Sequence, residues 1–330
     1  MTGSCRVLLV GCGQLGSRHL QAVATLPQVR EIEVIDPKPE AIALGRERLA
    51  EVADRQPSLS VRWLQSLEEA RNGGELCIMA TQAEGRGRLV QQVAAQLGYQ
   101  RFLVEKIVTQ SVREYQELQA FCAQTGVSVW VNCKQRAEPI HKWMKTQLTQ
   151  EDKPLTVSSV GGNHGLATGG IHLADLFAFL DGSSQIFSAG SAIDPVLHPS
   201  KRGSHLFDLS GTLLGYSETG SRFVLSYLPH GGAEHLSVVT PRQKWIVDRQ
   251  SRWVFESRAD TDWTWRPVPF TGNLLVSHMT RDLASNILAS GRCELPSLDE
   301  CFAAHRFILT ELQPHFNKLL GRDSDRCPVT

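Results

Sequence analysis

The sequence has no apolar run approaching the ~20 residues that span a bilayer, and its 330 residues have no charge of one sign in excess: Lys+Arg and Asp+Glu each total 34. The first absence argues against a membrane-embedded chain. The second removes the basic surplus that draws proteins to nucleic acid or to an anionic membrane surface, so a small-molecule partner fits better. The N-terminus enters an apolar strand without a charged-then-apolar leader, and a cytoplasmic protein is expected. Of the eight cysteines, Cys5, Cys12, Cys77, Cys122, Cys133, Cys293, Cys301 and Cys327, no two have CxxC spacing. They read as reduced thiols, several of them acting as small hydrophobes. Cys12 is expected to face backbone, although a position near a helix N-terminus is one that lowers a thiol pKa and invites oxidation. Eleven histidines include no HxxxH or HExxH pair, so no metal site is expected. A GxSxG nucleophile elbow, internal repeats and low-complexity segments are missing as well.

What is there begins at the N-terminus. Val7-Leu8-Leu9-Val10 runs into Gly11-Cys12-Gly13-Gln14-Leu15-Gly16, and a helical stretch then leads to Ile32-Glu33-Val34-Ile35-Asp36. This is a strand, a glycine turn, a helix and a second strand ending in an acid. Gly11 permits the tight turn, Gly13 lets the backbone approach a pyrophosphate, and Gly16 allows the helix to pack closely on the strand. A pyrophosphate would sit on the helix N-terminus, among Gln14, Leu15 and Gly16, where N–H groups and the dipole favour negative charge. Asp36, about twenty residues beyond Gly16, stands where a carboxylate accepts bonds from a ribose. A carboxylate there favours NAD over NADP, and Lys38, two residues on, leaves NADP open.

A chain of this length is expected to form two domains. Over residues 1–130, β and α patterns alternate: a helix over 40–52, strands at 59–64, 76–80, 102–104 and 127–131, and helices through Leu89–Leu97 and Ser111–Gln124. That is an α/β Rossmann domain, a doubly wound parallel sheet. Ligands of such sheets lie outside the carboxyl ends of the strands, which brings Gly11 to Gly16, Asp36, Thr81, Glu105, Lys106 and Asn132 to one edge. Over residues 131–330, helices at 139–148 and 170–180 are followed by strands at 207–213, 223–228, 236–239, 245–248, 253–257 and 263–268. These read as an antiparallel meander in an α+β substrate-binding and oligomerisation domain. Helices over 274–289 and from a capping box, Ser297-Leu298-Asp299-Glu300, to Leu320 follow, then a tail expected to fray. Trp245, Trp253, Trp263 and Trp265 fit sheet packing or a subunit interface better than a sugar platform. An open apolar sheet face calls for a second copy of the chain, so a homodimer or homotetramer is expected.

Lys106 leads the candidates for chemistry, because a partly desolvated lysine at that edge can protonate a carbonyl or orient a hydroxyl. A solvated lysine closing the strand accounts equally well for that single feature. Gly161 to Gly170 is a glycine-rich loop feeding a helix on which His172 and Asp175 share a face, so the acid can orient the imidazole or a neighbour. His172 has a reference pKa suited to acid–base work, though a lone helical histidine is more often a surface or core residue. His164 is a weaker version of the same idea.

These motifs occur in a familiar order. The glycine turn continued to His19, Ala80-Thr81, Glu105-Lys106, Asn132-Cys133-Lys134-Gln135-Arg136 with Pro139 following, and Gly170 to Asp175 together resemble the Gfo/Idh/MocA oxidoreductase family. The resemblance implies an NAD(P)-dependent enzyme acting on CH–OH groups of sugars, cyclitols or nucleotide sugars. It makes Lys106 and His172 the catalytic residues, adds Thr81 and Glu105 to the cofactor site, and assigns Asn132, Arg136, His164, Thr168 and Asp175 to substrate. The loop 162–167 is similar to that of a subgroup associated with bacterial surface-sugar biosynthesis. Two positions depart from the family pattern. Ile107 replaces a proline, so a cis peptide there, costing about 2.5–4 kcal/mol, is not expected. Thr168 stands where the family often has an aspartate. The departures keep alternatives in view: a cofactor-binding protein without catalysis that senses or assembles, a redox-neutral NAD-using lyase or glycosidase, or an enzyme like the biliverdin reductases.

Overall fold

The computed structural model describes residues 4–162, 165–270 and 276–330. By contact, the chain divides into two units. The first takes in the chain up to Thr109, Glu114–Asn132 and a later stretch ending at Leu298. The second takes in Gln110–Arg113, the chain from Cys133 onward, and Asp299–Thr330. Each unit is built from segments far apart in sequence, and a helix late in the chain packs with the first unit.

In the first unit, β1 (Cys5–Val10), α1 (Gly16–Val23), β2 (Val29–Ile35), α2 (Pro39–Ala50), β3 (Ser60–Leu64), β4 (Leu76–Met79), α3 (Arg86–Leu97), β5 (Arg101–Val104), α4 (Val112–Thr125) and β6 (Ser128–Val131) alternate along the chain. The strands form one parallel sheet in the order β3-β2-β1-β4-β5-β6. Val7, Leu8, Leu9, Leu76, Cys77 and Ile78 are wholly buried, as expected of strands covered by helices on both faces. The order reverses beside β1, so the loops after β1 and β4 open at the crevice where such sheets take ligands.

The second unit holds α5 (Pro139–Gln147), β7 (Thr156–Gly162), α6 (Gly170–Asp181), β8 (Phe187–Ile193), β9 (His198–Ser200), β10 (Gly203–Asp208), β11 (Gly211–Tyr216), β12 (Arg222–Leu228), β13 (His235–Val239), β14 (Gln243–Asp248), β15 (Trp253–Arg258) and β16 (Trp265–Pro267). After them, α7 (Val276–Ser290) belongs to the first unit and α8 (Phe302–Leu320) to the second. Eight strands form the large sheet in the order β16-β15-β14-β13-β7-β12-β11-β8. It is mainly antiparallel, but β7 lies between β13 and β12 and runs parallel to β12, so the meander is interrupted. The apolar run read as one strand over 207–213 is broken by a turn: β10 pairs with β9 in a separate hairpin, and β11 pairs with β12 and β8. Helices α6 and α8 close on Phe223 of β12, whose ring lies 5.1 Å from Phe177 and 5.0 Å from Phe307.

Two further expectations are corrected. Ser297 bridges Trp130 as extended backbone, and α8 starts later than the expected capping box, at Phe302 with Cys301 in the N-cap position. The tail does not fray: residues 327–330 are buried, Cys327 N donates to Gln110 O at 2.8 Å, and Phe207 N donates to Pro328 O at 2.8 Å. Backbone pairing and burial of Cys327 and Val329 outweigh the polar residues that precede them. No helix among the described residues is long and apolar enough to cross a membrane.

Candidate active site

The glycine turn after β1 is built as its sequence demands. Gly11 has φ +88°, and a Cβ on Gly16 would lie 1.9 Å from Gly11 O, so the helix approaches the strand at a distance that only glycine permits. A Cβ on Gly13 would meet nothing within 4 Å, which leaves that side of the turn open. Helix α1 starts with no side-chain cap, while Ser17 Oγ donates to Gly13 O at 2.8 Å. Gln14 is exposed and Leu15 half-buried. Arg48 of α2 donates to Gln14 O and to Ser17 Oγ, both at 2.6 Å, and so braces the turn from outside. Asp36 ends β2 with one oxygen accepting from Cys12 N at 2.7 Å and the other from Lys38 N at 3.0 Å. Cys12 is fully buried, and burial followed by the Asp36 charge pushes its thiol up to about 12. The oxidation-sensitive reading of Cys12 is therefore set aside.

At the ends of β4, β5 and β6 a buried network forms. The Glu105 carboxylate accepts from His19 Nε2 at 3.0 Å and from the Asn132 amide nitrogen. His19 Nδ1 lies 2.9 Å from Thr280 Oγ1 of α7. A carboxylate only accepts, so Nε2 carries a proton and, on a neutral ring, Nδ1 accepts from the threonine. Burial opposes the charge on Glu105, yet the His19 and Asn132 hydrogen bonds and the neighbouring Lys106 charge hold it at about 2. Lys106 follows directly and is half-buried. The Lys106–Ile107 peptide is cis, contrary to the expectation drawn from the missing proline. The fully buried Ile107 and its neighbours are fixed by tertiary bonds: the Arg86 guanidinium, also buried, donates to Glu105 O at 2.6 Å and to the carbonyls of Ile107 and Thr81. Thr81 Oγ1 is buried with no partner among the described residues.

In the second unit, Arg136 holds Asp175 in a bidentate pair, Nε to Oδ2 at 2.9 Å and Nη2 to Oδ1 at 2.6 Å. Asp175 is fully buried; of the expected roles, touching substrate or orienting His172 or a neighbour, the geometry gives the last, with Arg136 as the neighbour. Asn132 likewise has its amide nitrogen committed to Glu105, and Glu105 is itself committed to that network rather than exposed to a cofactor. His172 stands half-buried in the first turn of α6. Thr168, which lacks a carboxylate of its own, bonds to one from β10: Asp208 Oδ2 accepts from Thr168 N at 2.9 Å and from its hydroxyl at 2.6 Å. His164 lies outside the described residues.

Residues 5–133 match the family model described as an oxidoreductase family with an NAD-binding Rossmann fold, GFO_IDH_MocA. The match is to the Gfo/Idh/MocA oxidoreductases and is confined to this first stretch of the chain. No curated protein matches the sequence. An oxidoreductase from Agrobacterium radiobacter, solved with NAD+, L-tartaric acid and magnesium, has a TM-score of 0.76 at 13% identity, over 96% of this chain and 97% of that one. A UDP-N-acetylglucosamine 3-dehydrogenase from Acidithiobacillus ferrooxidans gives 0.67 at 16%, over 93% and 94%. A 3-ketoreductase from Actinomadura kijaniata, solved with NADP and TDP-benzene, gives 0.71 at 14%, over 93% and 96%. At these identities the likeness is one of fold across both units.

The match makes the chain an NAD(P)-dependent oxidoreductase, and its own residues fit that cofactor. The open side of Gly13, the uncapped start of α1 and the unpartnered Thr81 hydroxyl are features that a bound dinucleotide would satisfy. Arg48, Arg86 and Thr280 were not singled out from sequence. Arg86 and Thr280 carry no local pattern; Arg48 on the exposed run of α2 looks like any helix-surface arginine.

Proposed function

We propose that this oxidoreductase moves a hydride to or from the carbinol or carbonyl carbon of a sugar, cyclitol or nucleotide sugar, with NAD preferred. The observation that carries the reading is Lys106, placed at the carboxyl end of β5 beside a carboxylate that His19 and Asn132 keep ionised. Bound NAD(P) supplies or accepts the hydride. Lys106 and His172 handle the hydroxyl proton, Lys106 as an ammonium steadied by the Glu105 charge and His172 as a group able to exchange a proton near neutrality. Arg136, aimed by Asp175, orients the substrate. Asp36 at the tip of β2 favours a free ribose hydroxyl over a 2′-phosphate. Support for a sugar-like substrate comes from the fold neighbours, one named a UDP-N-acetylglucosamine 3-dehydrogenase and another a 3-ketoreductase.

The test follows NADH absorbance while the protein, with NAD or NADP, meets a panel of sugars, cyclitols and nucleotide sugars. Turnover that falls by roughly 10²–10⁴-fold in Lys106→Ala and in His172→Ala, with cofactor affinity kept, supports the reading. A protein that binds the cofactor and stays silent across the panel overturns it.

A further inference from the structure

Cys133 and Cys301, 168 residues apart in sequence, meet with their sulfurs 3.4 Å from each other. Both are wholly buried. Neither sits in the body of a strand or helix. Cys133 occupies the bend between β6 and the single-turn helix Lys134–Ala137, and Cys301 is the N-cap residue of α8. Sulfurs held at such joints can close from contact to the about 2.05 Å of a disulfide without breaking a strand ladder or a helical turn.

A carboxylate completes the group. The sulfurs of Cys133 and Cys301 and an oxygen of Asp175 all lie within 4.8 Å of one another. Cys301 hydrogen-bonds Asp175, and a carboxylate only accepts, so the Cys301 S–H is the donor. The contact between the two sulfurs then has Cys133 as its donor. Both oxygens of Asp175 are also taken by Arg136, at 2.6 and 2.9 Å, which sets a fixed positive charge beside the group. A zinc ion would have to share that carboxylate with the guanidinium and would have only two sulfurs besides, short of the four ligands of a closed site. The geometry therefore favours sulfur meeting sulfur over sulfur meeting metal.

We propose that Cys133 and Cys301 are an oxidisable dithiol, closed to a disulfide by hydrogen peroxide, with loss of the S–H that Cys301 gives to Asp175. One sulfur attacks a peroxide oxygen and breaks the O–O bond, which yields a sulfenic acid and one water. The second sulfur then displaces the hydroxyl from the first, forming the S–S bond and releasing a second water. Two thiols lose two electrons and two protons, and one peroxide is reduced to two waters. Burial, then the neighbouring Cys133 thiol and the Asp175 charge, push the Cys301 thiol well up against the pull of Arg136. Because the thiolate is the attacking form, closure is slow at neutral pH and quickens as pH rises. The change falls beside two supports described above. Cys133 directly follows Asn132, which holds Glu105, and Asp175 is what aims Arg136.

Peptide mapping by mass spectrometry on the full chain tests it. Wild type and Cys301→Ala are treated with hydrogen peroxide at pH 7 and pH 9, quenched with N-ethylmaleimide and digested with and without dithiothreitol. A peptide joining Cys133 to Cys301 is expected in wild type, forming at least ~10-fold faster at pH 9, lost with dithiothreitol and absent from Cys301→Ala. Recovery of Cys133 and Cys301 as separate N-ethylmaleimide adducts, while the less buried Cys5, Cys122 and Cys293 are oxidised, overturns the proposal. Linkage of either residue to a different cysteine does so as well. A parallel sample holds one equivalent of zinc: tight binding that shields both thiols from peroxide and is lost in Cys301→Ala overturns the disulfide in favour of a metal site.

Discussion

Glu105 shows how much a single side chain depends on partners remote in sequence. Its carboxylate is ionised in a buried setting because His19, 86 residues away, and Asn132 donate to it. With a folded value of about 2, below that of an unfolded glutamate, it contributes stability that is fully present above about pH 4.5 and is lost as pH falls toward 2. The shift corresponds to roughly 3 kcal/mol. Urea unfolding between pH 6 and pH 2 is expected to show Glu105→Gln less stable at neutral pH and with a shallower decline below pH 4.5; parallel curves would contradict the charged network. The sequence drew attention to Glu105 and Lys106 by their place at the end of an apolar strand. His19 stood only as the end of a motif, and its task became visible once α1, β5 and α7 were placed together.

At the scale of elements, the glycine turn and the Arg136–Asp175 pair carry the sharpest expectations. Gly16→Ala puts a Cβ against Gly11 O, so it must displace α1 from β1. NADH titration is expected to show affinity reduced by at least ~10-fold, with the second unit's melting unchanged. Asp175→Asn leaves the buried Arg136 guanidinium without its counter-charge, at a cost of roughly 3–5 kcal/mol in urea unfolding. A loss below ~1 kcal/mol would mean that water or another acid compensates. The elements of the first unit were legible because an uninterrupted βα alternation leaves little choice. In the second unit β7, β8 and β9 were not read, because Ser158, Ser159, Gly161 and Gly162 dilute the apolar pattern of β7 and β8 is mostly exposed. The break between β10 and β11 escaped notice for the opposite reason, since Leu209 keeps the apolar run going through the turn.

For the whole molecule, the large sheet has one face under α5, α6 and α8 and another that stays open. Trp245 is fully buried on the covered side, while Ile246, Trp253, Phe255, Leu228, Tyr216 and Val239 are exposed. So broad an apolar face is the reason to expect a second copy, and light scattering on the purified protein is expected to give a mass of two or four chains. Trp253→Glu and Leu228→Glu are expected to lower it; a monomeric wild type would refute the oligomer. The sequence by itself determined the first domain, its cofactor class and the position of Lys106, because these follow from local rules: strand periodicity, glycine geometry, and the ligand-binding edge of a parallel sheet. Only the tertiary structure decided what surrounds them. It turned Asp175 and Asn132 into supports, brought Asp208 to Thr168 from another strand, buried the C-terminal tail, and joined α7 to the first unit. Each of these depends on contacts between residues far apart in the chain, and no local pattern encodes which distant partner a side chain will meet.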